Sequence, residues 1–280
     1  MSVVVRRARP CLGTLVEMRV EGLRETDALA AIDAAFVEVA RVHSLMSFHL
    51  QDSDLAHLHR ARAGDAVEID VRTAEVLRCA LDIAERSEGA FDPTVAALAV
   101  APGSLPWPDS PFVPDAHANW RDIEWLDARH IRLGKPLWLD LGGIAKGYAV
   151  DRAIEILVRA GATQACVNAG GDLRIAGPRA EAVTLRIAHC DATHAIELRD
   201  GAVASSASSS IFEHVRRAPT KEDTECVGVS IAASNCMLAD ALTKVALLAD
   251  ADVAMATLAH YGAQALIHAR DGWRELARVA

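Results

Sequence analysis

The sequence predicts an α+β fold, and three observations carry that prediction. The alternating polar and apolar residues of Thr14 to Val20 give way directly to a stretch, Thr26 to Leu45, whose apolar residues recur at helical spacing. The second half holds short strand-like segments punctuated by two glycine pairs, Gly142-Gly143 and Gly170-Gly171. A strongly apolar helical run, CMLADALTKVALLA, follows Asn235. With 280 residues, 51% of them hydrophobic, the chain is long enough to bury a sizeable core without disulfide staples.

In chain order, the helix at Thr26 to Leu45 is expected to bury Ile32, Ala35, Phe36, Val39 and Val42. Ser53 stands where an N-cap belongs, ahead of a short helix from Asp54 to Ala63, and Thr73 to Glu85 is a further amphipathic helix. Residues Pro102 to Pro114 contain five prolines and read as a surface loop or lid. Trp107 within it is expected to anchor the loop or to stack on a ligand. A strand around Ile131 to Leu133 and the apolar Pro136 to Leu141 lead into the first glycine pair. A helix over Tyr148 to Ala160 then ends at Gly161, a suitable residue to follow a helix C-terminus. Cys166 to Asn168 reads as a strand, Thr184 to Leu198 as paired strands, Ala204 to Ser210 as a serine-rich stretch of small residues, and Val227 to Ala232 as a strand.

The composition excludes several function classes. A net charge of −9 argues against a nucleic-acid partner, which would need a concentrated excess of Lys and Arg. Six scattered cysteines without a C-x-x-C read as reduced thiols, and no run is apolar enough to span a membrane. No signal-peptide pattern opens the chain, so a cytoplasmic location is expected, or a periplasmic one if an export signal has been removed. The local signatures of serine hydrolases, P-loop proteins, zincins and Rossmann domains are missing. The crowded histidines His43, His49, His57 and His59 read as solvated or partly packed side chains, because an i, i+2 pair on a helix points to different faces.

Two places could carry chemistry. In LDLGGIAKGYAVD, Leu139 to Asp151, Lys146 sits in the first turn of a helical pattern, where unpaired N–H groups already favour an anion. The segment reads either as a phosphate cradle or as a tight strand-to-helix turn with a solvated lysine. On the apolar helix after Asn235, Asp240 shares a face with Thr243 and Lys244. It reads either as an anchor for a hard cation such as Mg2+ or as half of an ordinary ion pair worth about 0.3–0.5 kcal/mol.

Five segments taken together, MSFHLQDSDLAHL (46–58), GAFDPTV (89–95), LDLGGIAKGYAVD (139–151), VNAGGDLRIAG (167–177) and ADALTKV (239–245), resemble the ApbE family of FAD:protein FMN transferases. The resemblance implies one α+β, T-fold-like domain over residues 1–280, with sheets and packed helices and an FAD cleft between two lobes. It implies a Mg2+-dependent enzyme that cleaves FAD, passes FMN to a threonine of an acceptor flavoprotein and releases AMP. By motif, Met46, Ser47, Asp92, Thr94, Lys146, Gly170 and Gly171 would contact FAD. The Ala145 carbonyl, Asp240 and Thr243 would hold the metal, and Asp140 and Asp151 would fix the local backbone, of the turn and of the first helical turns.

Two departures stand beside the matches. The family places a threonine four residues after the metal-binding aspartate, where this chain has Lys244, an ammonium that could replace a metal or pair with Asp240. The family's H-x-x-D-P-x-T-G segment survives only as His214 to Lys221, with altered spacing and without its aspartate and glycine, which bears on His214 as a catalytic base. These departures imply the alternative of a non-catalytic FAD-binding or storage protein, or one that only hydrolyses FAD.

Overall fold

The computed structural model describes residues 3–186, 193–207, 226–269 and 272–277. An eight-stranded antiparallel sheet organises them. Its strands are β1 (Val5–Cys11), β2 (Thr14–Glu21), β6 (Gln164–Ala169), β7 (Asp172–Ala176), β10 (Gly201–Ala207), β11 (Cys226–Ala233), β12 (Gln264–Ala269) and β13 (Gly272–Ala277), and they lie side by side in that order. A small sheet of β3 (Ala66–Glu68), β5 (His130–Leu133) and β4 (Ile123–Trp125) and a hairpin of β8 (Glu181–Arg186) and β9 (Thr193–Leu198) complete the strands described.

Period-2 alternation sends the two sets of side chains of the large sheet to different partners. Ala165, Val167 and Ala169 of β6 and Ala202 and Ala204 of β10 enter the main core. That core lies beneath α1 (Glu25–Met46), α5 (Ala145–Arg159) and α6 (Cys236–Leu248). Ile175 of β7 and Val203 of β10 instead pack against Leu185 and Leu198 of the β8–β9 hairpin. The small residues on the helix side let the helices approach the sheet closely. The stripe Ile32, Ala35, Phe36, Val39 and Val42 of α1 is buried as expected.

Local capping behaves as the sequence indicates. The Ser53 hydroxyl accepts from the Ala56 N–H at 3.1 Å to start α2 (Asp54–Arg60), and Asn235 accepts from the Leu238 N–H at 2.9 Å to start α6. Asp70 caps α3 (Val71–Arg86), and Gly161 follows α5 with φ of 99°. One segment departs from expectation, and one strand was not anticipated. The serine-rich Ala204 segment belongs to β10 up to Ala207, where its small side chains fit under α6 and override weak β-propensity. β1, with three arginines and Pro10, is an edge strand whose outer rim has no ladder partner to lose. Short helices α4 (Ala96–Val100) and α7 (Ala251–His260) close the molecule. Among the described residues no helix is long and apolar enough to cross a membrane.

Candidate functional site

The glycine pair 142–143 opens α5, but no strand precedes it. Leu137 to Leu141 runs outside any sheet with Leu137, Trp138, Leu139 and Leu141 buried, so its polar groups find other partners. The Asp140 N–H donates to the Pro93 carbonyl at 2.8 Å, and Nε2 of buried His59 lies 3.0 Å from both the amide nitrogen and the carbonyl oxygen of Leu139. Burial pushes His59 down to about 4, only partly offset by the Leu139 carbonyl, so the ring is a neutral structural strut at physiological pH. Asp140 accepts from the Gly142 N–H at 2.8 Å and fixes the turn, as expected.

The glycines here supply space. A Cβ on Gly147 would lie 2.2 Å from the Cys236 carbonyl oxygen, which makes this residue the crossing point of α5 and α6. A Cβ on Gly143 would lie 3.2 Å from Cε of Lys244, so the lysine stem passes over bare backbone, next to Phe91. Asp151 clamps the two helices from the other side. Its carboxylate accepts from the Cys236 and Met237 N–H groups, each at 2.8 Å, and from Arg174 at 2.8 Å. Asp151 therefore caps α6 rather than the start of its own helix, an anion placed where a helix start needs one.

The crossing brings four charges together. Lys146 Nζ lies 2.8 Å from Asp172 Oδ2, and Lys244 Nζ is ion-paired with Asp240 Oδ1. The side chains of Asp172 and Asp240 are each only 3% exposed, and that of Lys146 is 32% exposed. Burial and the neighbouring Asp240 charge push the Asp172 carboxyl up to about 6, against the pull of Lys146 and Lys244. For Lys146, burial acts downward but is outweighed by Asp172 and Asp240, and its pKa lies above the ordinary lysine value. Asp172 Oδ2 has the ion-pair contact without an aligned hydrogen bond. Its significance was missed in the sequence, although an acid directly after a glycine pair was the available signal.

Lys146 stands on the wall of a cleft of about 450 Å3. Met46 and Ser47 at the end of α1, Leu105 of the proline-rich loop, Ala145 and Gly170 share that wall. Asp240 does not line the cleft, although its charge acts on Lys146. Gly171 does not line the cleft, and neither do Asp92 and Thr94; Asp92 Oδ1 accepts from the Thr94 N–H and hydroxyl at 2.8 and 2.6 Å, and Thr94 is buried. Trp107 is exposed and meets Trp138 edge-on at 5.0 Å, which makes it a loop anchor. His43 and His49 border the cleft, His57 is exposed, and no metal-binding cluster of His, Cys, Asp or Glu occurs among the described residues. His214 lies outside the described residues.

The donor set around Asp240 does not fit a divalent ion. Oδ1 is taken by Lys244, and Oδ2 accepts from the Gly147 N–H at 3.2 Å. The Thr243 hydroxyl is 2.7 Å from the Asp240 carbonyl and 2.9 Å from the Ser206 hydroxyl. A hard cation would need free oxygens where this site presents an ammonium.

An antiparallel sheet under three helices, with a lysine at a glycine-opened helix start on the wall of a cleft, defines an α+β protein. The chain belongs to the ApbE family, whose model matches residues 12–267. It is 26% identical to the ApbE protein of Thermotoga maritima, whose crystal structure matches with a TM-score of 0.81 over 98% of this chain and 97% of that one. It is also 32% identical to the FAD:protein FMN transferase of Treponema pallidum over 60% of this chain and 50% of that protein. A transferase of the same name from Rhodobacter capsulatus is 32% identical over 59% of this chain and 33% of its own. The chain thus matches half or less of the length of these two relatives.

Proposed function

We propose that the chain is an FAD:protein FMN transferase. It would bind FAD in the cleft and pass its FMN part to a threonine hydroxyl of an acceptor flavoprotein. The threonine oxygen forms a bond to the FMN phosphorus, the bond from that phosphorus to the oxygen shared with the AMP phosphate breaks, and the hydroxyl proton leaves to solvent or to AMP. Residues 1–280 would act as one domain. The observation that supports this best is Lys146, a cation on the cleft wall at the start of α5, where helix N–H groups add to its field. Those groups can bind the diphosphate and offset charge that develops as the bond breaks.

Met46, Ser47 and Gly170, which line the cleft together with Lys146, would border the flavin nucleotide. Asp92 and Thr94 would act at one remove, through the Pro93 carbonyl that holds Asp140. The Mg2+ implied by the family resemblance would have Asp240, Thr243 and the Ala145 carbonyl as its ligands. The present hydrogen bonding of Asp240 and Thr243 disfavours that arrangement, and no step here is assigned to the ion.

The test is to incubate the chain with FAD and candidate acceptors, with and without Mg2+, and to follow AMP release and flavin mass on the acceptor. AMP release with a flavinylated threonine is the expected result. AMP without acceptor labelling would leave a hydrolase, and return of intact FAD would leave a storage protein. Lys146→Ala should weaken FAD binding about ten-fold, the loss of one charge-assisted contact. Unchanged binding would remove Lys146 from the site.

A further inference from the structure

We propose that Lys244 is a built-in cation that takes the place of a divalent metal, so that this chain binds the FAD diphosphate without one. The inference rests on reading the cleft as a diphosphate site. Three features of this chain support it. The Lys244 ammonium is bonded to both the carboxylate and the carbonyl of Asp240, the latter at 3.0 Å. Its stem crosses Gly143, where any side chain would crowd it, so the helix start that would receive the phosphates is shaped around this lysine. The ion pair also has a neighbour to serve: the Lys244 charge reaches buried Asp172 as well as Asp240.

The charges explain why an ammonium suffices. Two carboxylates and two ammonium groups form the corner, so it is balanced when both acids are ionised, without an added ion. A divalent ion entering beside Lys244 would lie against a fixed positive charge in a buried setting, where repulsion is weakly screened. An arriving diphosphate would instead meet Lys146 on the cleft wall, while Lys244, whose side chain is 20% exposed, does not line the cleft but adjoins it through Gly143, the neighbour of the cleft residue Gly142.

The experiment uses the whole protein and has two readings. FAD affinity is measured by flavin fluorescence in EDTA and in excess Mg2+, and Mn2+ binding to the free protein is followed by electron paramagnetic resonance. For the wild type, FAD affinity should differ by less than about two-fold between the buffers, and no stoichiometric Mn2+ site should appear. Lys244→Thr should lose about ten-fold in FAD affinity in EDTA and recover part of it with Mg2+, and it should acquire a Mn2+ site. A wild type that binds Mn2+ stoichiometrically, or that needs Mg2+ to bind FAD, would overturn the proposal. Failure to bind FAD in either buffer would count against the flavin reading, while the Mn2+ titration would still decide the role of Lys244.

Discussion

Two clusters in this molecule contain the same ingredients, two acids and two bases, and they differ in almost everything else. At the helix crossing stand Lys146, Asp172, Asp240 and Lys244. Arg19 and Glu21 on β2, Arg179 just before β8 and Glu181 at its first residue form the other. In the second cluster Arg179 holds Glu21 with a two-pronged contact at 2.6 and 3.0 Å, Arg19 bridges Glu21 and Glu181, and Gln164 donates to Glu181 at 2.7 Å. Every carboxylate oxygen has a donor. The Arg179 bond holds Glu21 below the ordinary glutamate range, and for Glu181 the effect of burial is outweighed by Arg19 and Gln164. That network is satisfied. The crossing uses ammonium groups, which cannot fork over a carboxylate, and leaves Asp172 with its pKa raised. A charge cluster becomes a candidate site when burial leaves it with interactions still to be made.

The largest expected break in this comparison comes from Gly147→Ala. The new methyl group would overlap backbone at the Cys236 carbonyl, so α5 and α6 must separate and the four charges lose their arrangement. A loss of about 3 kcal/mol in unfolding free energy is expected, the upper range for overpacking a core, together with weaker FAD binding. Chemical denaturation measures the first and flavin fluorescence the second. A variant of full stability would show that the crossing is looser than the geometry indicates.

The pH dependence of stability sharpens the contrast because the two clusters should respond with opposite sign. Asp172 has a folded pKa near 6, above its ordinary 3.8, so the folded state favours its protonated form. Its contribution is most favourable below about pH 4 and is lost as pH rises through about 6. Relative to Asp172→Asn, the wild type should therefore gain about 2–3 kcal/mol on going from pH 7 to pH 4. Glu21, held low by Arg179, contributes above the ordinary glutamate range and loses that contribution as pH falls through its folded value. Denaturation midpoints for wild type, Asp172→Asn and Glu21→Gln, taken from pH 7 to well below the ordinary glutamate range, would show the two trends diverging. Parallel curves would mean that the crossing is as well satisfied as the outer network.

Much of the fold was legible because the governing interactions are local. The α1 stripe, the Ser53 cap and the Gly161 stop each depend on residues within a turn or two. The site was legible only in part. Lys146 and Asp240 could be singled out by their position on helices, but Asp172 matters only because β7 turns its first residue toward α5. Asp151 looked like a device for its own helix and proves to cap α6, a contact 85 residues away in sequence. The glycine pair suggested a strand-to-helix turn; Gly143 instead accommodates a lysine that no local pattern connects to it.

The smallest effect expected is at Arg19, and it tests whether the outer network is as satisfied as its geometry indicates. Removing Arg19 leaves Glu21 with Arg179 and Glu181 with Gln164, so neither acid is left without a donor. The side chain is 18% exposed, which lets water take over part of its role. Arg19→Ala should then cost about 1 kcal/mol, the range of a partly screened ion pair with some lost stem packing. Adding about 0.5 M salt should narrow the gap to wild type, since screening acts on partly exposed charges. Urea midpoints at low and high salt measure both. A salt-independent cost above about 3 kcal/mol, the range of a broken buried pair, would place Arg19 in the same energetic class as the helix crossing and erase the distinction between the two clusters.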